Sequence, residues 1–274
     1  MKREKEKNLK ILLTNDDGIE SEGLYALYQE LQDTAEVTVV APKGERSAFG
    51  HAITLSDPLR VELVQKGGQL YGHAVSGTPV DCVKLGVGVI LKSQPDLVIS
   101  GINWGLNTGV HIFYSGTVSA ALEAAILGIP AIAVSLAPIG PPVYTHTAQF
   151  IKKLASLVLR RNLPPGTLLN VNMPPPELDD APEVAITRQA NCCLKDNFQE
   201  RIDPRNRTYY WLDSEEIHIV EGGDGEHMEG DIEAVQKGKI SITPIRLDLT
   251  DHQLIRFLQT WPIAGLKKNE EYQT

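Results

Sequence analysis

Short apolar runs alternate with helix-spaced segments through the first two-thirds of this chain, and that alternation restricts the fold more than any other feature. Ile11-Leu12-Leu13, Val37–Val40, Asp96–Ser100, Ala131–Leu136 and Leu168–Asn172 have the length and composition of strands buried in a parallel sheet. Helical stripes lie between them. Leu24, Leu27, Tyr28 and Leu31 follow Ser21, which reads as an N-cap. Ala120, Ala121, Ala124 and Ala125 lie within Thr117–Leu127, and Ile151, Leu154, Ala155 and Val158 share a later helix face. Strand and helix in turn predict an α/β fold, a mostly parallel sheet with helices on both faces.

Residues 181 to 240 break this rhythm. They carry short β-like runs at Val184–Thr187, Tyr209–Leu212 and Ile217–Val220, with an acidic, glycine-rich loop at Glu221–Asp231. An extended hairpin or arm fits them better than more sheet core. Its aromatic strip, Tyr209-Tyr210-Trp211, lacks an evident partner within the chain and points to contact with another subunit. Lys239–Thr243 resumes a strand. Thr250 with Gln253 predicts a capping box for a last helix bearing Leu254, Phe257, Leu258 and Trp261.

Composition narrows the function. The net charge of −9, with no basic run beyond the mixed Lys2–Lys7 tail, argues against a nucleic-acid duplex as partner. No apolar stretch approaches a membrane span, and no signal-peptide pattern opens the chain. Cys82, Cys192 and Cys193 form neither a spaced zinc set nor a disulfide framework, so a reducing cytoplasm is expected.

The chemistry gathers after the predicted strands. Asp16 and Asp17 follow the first strand, on a strand-to-helix loop where open α/β sheets place ligands. Adjacent carboxylates need a cation, a proton or solvation to offset their repulsion. Their oxygen-rich neighbours favour a hard divalent metal, Mg²⁺ or Mn²⁺, over a merely solvated turn. Glu45-Arg46-Ser47 follows the second strand and offers a hydroxyl and a fixed cation. Ser100-Gly101-Ile102-Asn103 follows the third, with Asn103 able to give a neutral carbonyl oxygen. Ser115-Gly116-Thr117 opens a helix whose N-terminal amides suit a phosphate. Each segment alone is an ordinary turn or cap. Together they describe metal-assisted phosphate hydrolysis. No Gly-x-Gly-x-x-Gly fingerprint, Walker A loop, His-Glu-x-x-His or Gly-x-Ser-x-Gly elbow competes. Seven scattered histidines form no motif; His51 is nearest the proposed site.

The sequence resembles the SurE family, the survival-protein-E nucleotidases. The matching pieces are Thr14-Asn15-Asp16-Asp17-Gly18, Glu45-Arg46-Ser47, Gly77-Thr78-Pro79-Val80-Asp81-Cys82-Val83, Ser100-Gly101-Ile102-Asn103, Tyr114-Ser115-Gly116-Thr117-Val118 and Gly238-Lys239-Ile240-Ser241-Ile242-Thr243-Pro244. The resemblance implies one Rossmann-like domain across residues 1–274, with a core at about 8–180 and 238–261 and an oligomerisation arm at about 181–237. It implies a divalent-metal-dependent 5′-nucleotidase acting on nucleoside monophosphates, with 3′-nucleotides and short polyphosphate as further substrates. Carried over by motif, the metal ligands fall on Asp16, Asp17, Ser47 and Asn103, and the phosphate cradle on Ser115, Gly116 and Thr117. A homodimer or homotetramer is implied. Gly77-Thr78-Pro79 reads as a loop shaping the pocket. Expected chemistry is attack by a metal-held water with one of the two aspartates as base. The rival readings are an aspartyl-phosphate enzyme and a nucleotide sensor without turnover.

Overall fold

Strand β1 (Lys10–Thr14), helix α1 (Glu22–Leu31) and strand β2 (Glu36–Pro42) open the fold in a computed structural model that describes residues 9–175, 182–220 and 228–262. A hairpin of β3 (Val61–Lys66) and β4 (Gln69–Val75) follows, then α2 (Pro79–Leu85) running into a π-helical turn. Next come β5 (Leu97–Trp104), a 3₁₀ turn at Gly109–Phe113, α3 (Gly116–Ile126), β6 (Ala131–Leu136), α4 (Tyr144–Arg161) and β7 (Thr167–Met173). The remainder is β8 (Val184–Ile186), β9 (Cys192–Ile202), β10 (Thr208–Ile219), α5 (Asp231–Gln236), β11 (Ile240–Arg246) and α6 (His252–Leu258).

Among the described residues nine strands form one sheet in the order β3, β4, β2, β1, β5, β6, β7, β11, β8. β1 pairs parallel to β2 and β5, with Ile11 opposite Val37 on one side and Leu97 on the other. The β3–β4 and β7–β11 pairs are antiparallel. The chain steps from β1 outward to β2 and β4, then returns to β5 on β1's other flank. The carboxyl ends of β1 and β5 therefore border the point where strand order reverses.

Two apolar layers hold the sheet. Leu13 and Ile99 meet Leu24 and Leu27 of α1 and Ile151 of α4 on one face. Leu12, Val40 and Val98 meet Val83 of α2 and Ala121 and Ala124 of α3 on the other. A fully buried leucine contributes about 2 kcal/mol to such a layer. The alanines of α3 let it approach the strands closely. Ser21 caps α1 as its sequence position predicts, accepting from the Leu24 amide.

The sequence reading differs from the structure in several places. β3, β4 and β9 had no counterpart in it, because Val61, Leu63 and Leu70 stay exposed and the strands lack a clean apolar run. Gly77-Thr78 is a loop that leads into α2, where Pro79 is the first helical residue and Thr78 and Asp81 form a reciprocal capping box. β5 continues past Ser100 through Asn103 and Trp104, so Asn103 stands on the strand and not after it. Gly101 makes this extension feasible: its φ is +137°, and a Cβ there would lie 2.3 Å from the Val134 carbonyl oxygen. Thr208–Ile219 is one strand where two short runs were expected, with its register shifted between Leu212 and Ser214. Val184–Ile186 joins the main sheet beside β11 and not the arm. Asp251, one residue past Thr250, caps α6 by accepting from the Gln253 and Leu254 amides. A carboxylate at a helix N-terminus is the stronger cap, which accounts for the shift. Trp261 lies beyond α6 and packs edge-on against Phe257. The Lys2–Lys7 tail, residues 221–227 of the acidic loop and the segment from Ile263 lie outside the described residues.

Candidate active site

The site begins where β1 runs out. Thr14, Asn15 and Asp16 are all buried there, and Asp17 is half-buried. Asn15 braces the turn, its Nδ2 donating to the Gly18 carbonyl at 2.9 Å and to Ser21 Oγ at 2.7 Å. Asp16 is 4% exposed and faces the start of α3, where the Thr117 hydroxyl donates to its Oδ1. Burial raises the Asp16 carboxyl above its ordinary value, although Thr117 and the backbone at Gly116 oppose that rise. Asp17 is pushed up to about 7 by burial first, then by the charges of Asp16 and Glu45.

Gly116 is what allows α3 to stand so close. A Cβ at that position would lie 2.7 Å from Asp16 Cβ and 2.9 Å from its Oδ2. Ser115 caps α3, its hydroxyl oxygen accepting from the Val118 amide at 3.1 Å. Thr117's hydroxyl is committed to Asp16, so what this turn offers an anion is its backbone amides.

The 44–50 loop is tied to both parts. The Arg46 amide donates to the Asp16 carbonyl at 2.7 Å, and the Gly50 amide to the Tyr114 carbonyl at 3.0 Å. Ser47 Oγ donates to Glu45 Oε1 at 2.7 Å. Arg46 turns away from the carboxylates to donate to the Ser76 carbonyl at 3.1 Å. Asn103 lies three residues past Ser100, the register partner of Thr14, and so on the same sheet edge. Its Nδ2 donates to the Gly105 carbonyl at 2.7 Å, and among the described residues no donor reaches its Oδ1. The structure thus gathers Asp16, Asp17, Gly116 and Thr117 directly. Ser47 and Asn103 stand on the flanking loop and strand, with no hydrogen bond to the aspartates among the described residues.

The donor set fits a hard cation. Asn15 Oδ1, Thr14 Oγ1 and Ser100 Oγ are buried at this edge without a hydrogen-bond partner, burial raises both acids, and the Asp16 charge raises Asp17 further. Among the described residues no three His, Cys, Asp or Glu side chains cluster for a metal. A cation here would rest on two carboxylates and neutral oxygens, the pattern of Mg²⁺ or Mn²⁺ and not of zinc.

Some neighbours carried no sequence signal. Tyr144 lies close enough to Asp17 and Glu22 for their charges to reinforce the rise that burial gives its phenol, and it packs edge-on against Trp104 at 6.4 Å. Asn107 is buried behind the site and bonds Ser135, Asn170 and Asn172 at 2.8–3.2 Å, which fixes the chain between β5 and α3. Buried amides at strand ends, read together, were the available clue. His51 pairs with Glu123 at 2.9 Å on the far part of α3 and does not reach the acids.

A family model described as Survival protein SurE matches residues 11–196. The 5′-nucleotidase SurE of Thermoanaerobacter sp. (strain X514) is 48% identical over 255 residues, 93% of this chain and 99% of that protein. The 5′-nucleotidase SurE of Syntrophobacter fumaroxidans is 44% identical over 253 residues, 92% of this chain and 99% of its own. The crystal structure of SurE from Aquifex aeolicus superposes with a TM-score of 0.75 at 37% identity, covering 91% of this chain and 98% of the other.

Proposed function

The chain belongs to the survival protein SurE family, and from that premise we propose that it is a 5′-nucleotidase, hydrolysing nucleoside 5′-monophosphates to nucleoside and phosphate. The observation that carries the reading is the Asp16-Asp17 pair set against the N-terminus of α3. Asp16, Asp17, Ser47 Oγ and Asn103 Oδ1 would hold one divalent cation, Mg²⁺ or Mn²⁺. Such a cation, when bound, neutralises the paired carboxylates and makes an attacking water more acidic. The chain's own groups supply the rest. Backbone amides of Ser115, Gly116 and Thr117 orient the phosphoryl oxygens. One of the two aspartates accepts the water's proton, and the buried setting keeps both in place. By the same chemistry the site would take 3′-nucleotides and short polyphosphate.

The reading extends to assembly and compartment. Tyr210 and Trp211 on β10 are exposed, as are Phe198 and Ile202 on β9, which supports a homodimer or homotetramer built through the hairpin. Three free cysteines support a cytoplasmic location, and no helix among the described residues is long and apolar enough to cross a membrane.

Asp16→Asn and Asp17→Asn test the site. Each is expected to lower AMP turnover by about 100-fold or more with the fold retained by circular dichroism, the scale of losing one preorganised electrostatic group. Unchanged metal-dependent turnover contradicts the assignment. A phospho-aspartate trapped by rapid quench replaces water attack with a covalent route, and stoichiometric nucleotide binding without phosphate release makes the protein a sensor.

A further inference from the structure

Glu123 is a carboxylate on a helix face that otherwise carries small apolar residues. It lies about two turns past the phosphate cradle on α3, between Ala120-Ala121 and Ala124-Ala125, and is 4% exposed. Both of its oxygens are held from outside the helix. His51 Nε2 lies 2.9 Å from Oε2, and Lys84 Nζ, from the last turn of α2, donates to Oε1 at 3.0 Å. A buried carboxylate loses hydration that its partners repay only in part, so an apolar residue of the same size would serve stability as well. Lys84 already supplies the opposite charge. What His51 adds is a fixed point on a loop.

That loop is the one carrying Ser47. Its upstream end is tied at Arg46, whose amide donates to the Asp16 carbonyl at 2.7 Å. Its downstream end is tied twice to the cradle side, by the Gly50 amide to the Tyr114 carbonyl and by His51 to Glu123. Between these ends Ser47, Ala48 and Phe49 are exposed, and among the described residues no hydrogen bond joins them to anything outside the loop. Ala48 has a φ of +58°, in the left-handed region that disfavours a residue with a side chain. A span tied so sparsely takes its position from its ends. Past His51 the chain is fastened to α2 instead, with the Thr78 hydroxyl donating to the Ala52 carbonyl at 2.7 Å and the Thr54 amide to Asp81 Oδ1 at 3.0 Å. Among the described residues, His51 to Glu123 is the one side-chain bond between the 44–51 segment and α3.

We propose that Glu123 and His51 are positioning residues for the cation: they lock the Ser47 loop to the helix whose amides hold the phosphate. Ser47 Oγ and the cradle then keep one spacing. The inference rests on the nucleotidase reading and deepens it, since neither residue touches cation or substrate and both act through the loop.

The test uses the intact protein with two readouts besides turnover. Electron paramagnetic resonance of free Mn²⁺ gives the cation affinity without nucleotide, and amide hydrogen exchange without added metal reports the order of residues 47–50. In His51→Ala and Glu123→Leu the Kd for Mn²⁺ rises about tenfold, the scale of losing a group that orients a metal ligand, and exchange in the loop quickens. AMP turnover falls at limiting Mn²⁺ and recovers at saturating Mn²⁺. The double variant loses no more than either single one, because the same bond is removed. His51→Gln, whose Nε2 can donate to Glu123, restores the affinity to within about twofold. Lys84→Gln moves neither readout. The proposal is overturned if His51→Ala leaves affinity and exchange unchanged, if His51→Gln recovers nothing, or if Lys84→Gln loses as much, which would assign the effect to the buried charge. Absence of Mn²⁺ binding by the unmodified protein overturns the cation reading of the site. In that case faster loop exchange in His51→Ala, recovered in His51→Gln, leaves the loop latch standing, and unchanged exchange removes it too.

Discussion

β1 and β10 are both strands, yet they occupy opposite environments. β1 is buried from Ile11 to Thr14, flanked by parallel partners and covered by helices on both faces. β10 is exposed along its whole length, from Thr208 to Ile219, and among the described residues pairs with β9 alone. A two-stranded ribbon is marginal by itself in water, so the hairpin draws its order from its root and from whatever packs on it. The rigid strand ends in the acids, where donor positions must be held closely. The open ribbon carries surface that another molecule can cover. One chain therefore separates the part that must not move from the part that must remain available.

Substitutions can break or sharpen that contrast. The largest effect on folding is expected from Leu13→Ala, since Leu13 is fully buried on the α1 side of the sheet. Loss of about 2–5 kcal/mol is expected from the cavity it leaves, measured by urea unfolding. Gly116→Ala comes next: its methyl group would press on Asp16, moving α3 or the carboxylate. Overpacking of this kind costs about 1–3 kcal/mol, and AMP turnover should fall further than stability does. Trp211→Ala is the smallest for the folded subunit, below about 0.5 kcal/mol, because the ring is 58% exposed. Its effect should show in sedimentation, as a shift toward smaller species. Were Trp211→Ala to destabilise the subunit as much as Leu13→Ala, the contrast between the two strands would be mistaken.

The legible parts of the fold were those whose sequence and environment agree. β1, β6 and the stripe of α1 announce themselves because burial on both faces leaves little but apolar residues. β3, β4 and β9 were missed for the opposite reason: half-exposed strands admit polar residues, and Leu63 and Phe198 face outward with nothing to mark a period. At the site, Asp16 and Asp17 stood out because a strand end has no structural need for two acids. Thr117 was legible as part of the helix start, whereas its bond to Asp16 depends on the packing of α3 against β1 and could not be read from spacing. Glu45 and Tyr144 reach Asp17 from loops and helices distant in sequence, and only the assembled fold brings their effects together. The same holds for Asp231, which binds the Gly109 and Ala190 amides at 3.0 Å and so ties α5 to the chain leading into the site.

The central claim is that the acids at the end of β1 serve phosphate hydrolysis with a bound divalent cation. The most direct measurement is phosphate release from AMP by the purified protein, with Mn²⁺ or Mg²⁺ and then with excess EDTA. The account predicts release that requires the added cation and stops on chelation. Undiminished release in EDTA, or none with any divalent cation on AMP and other nucleotides, would contradict it.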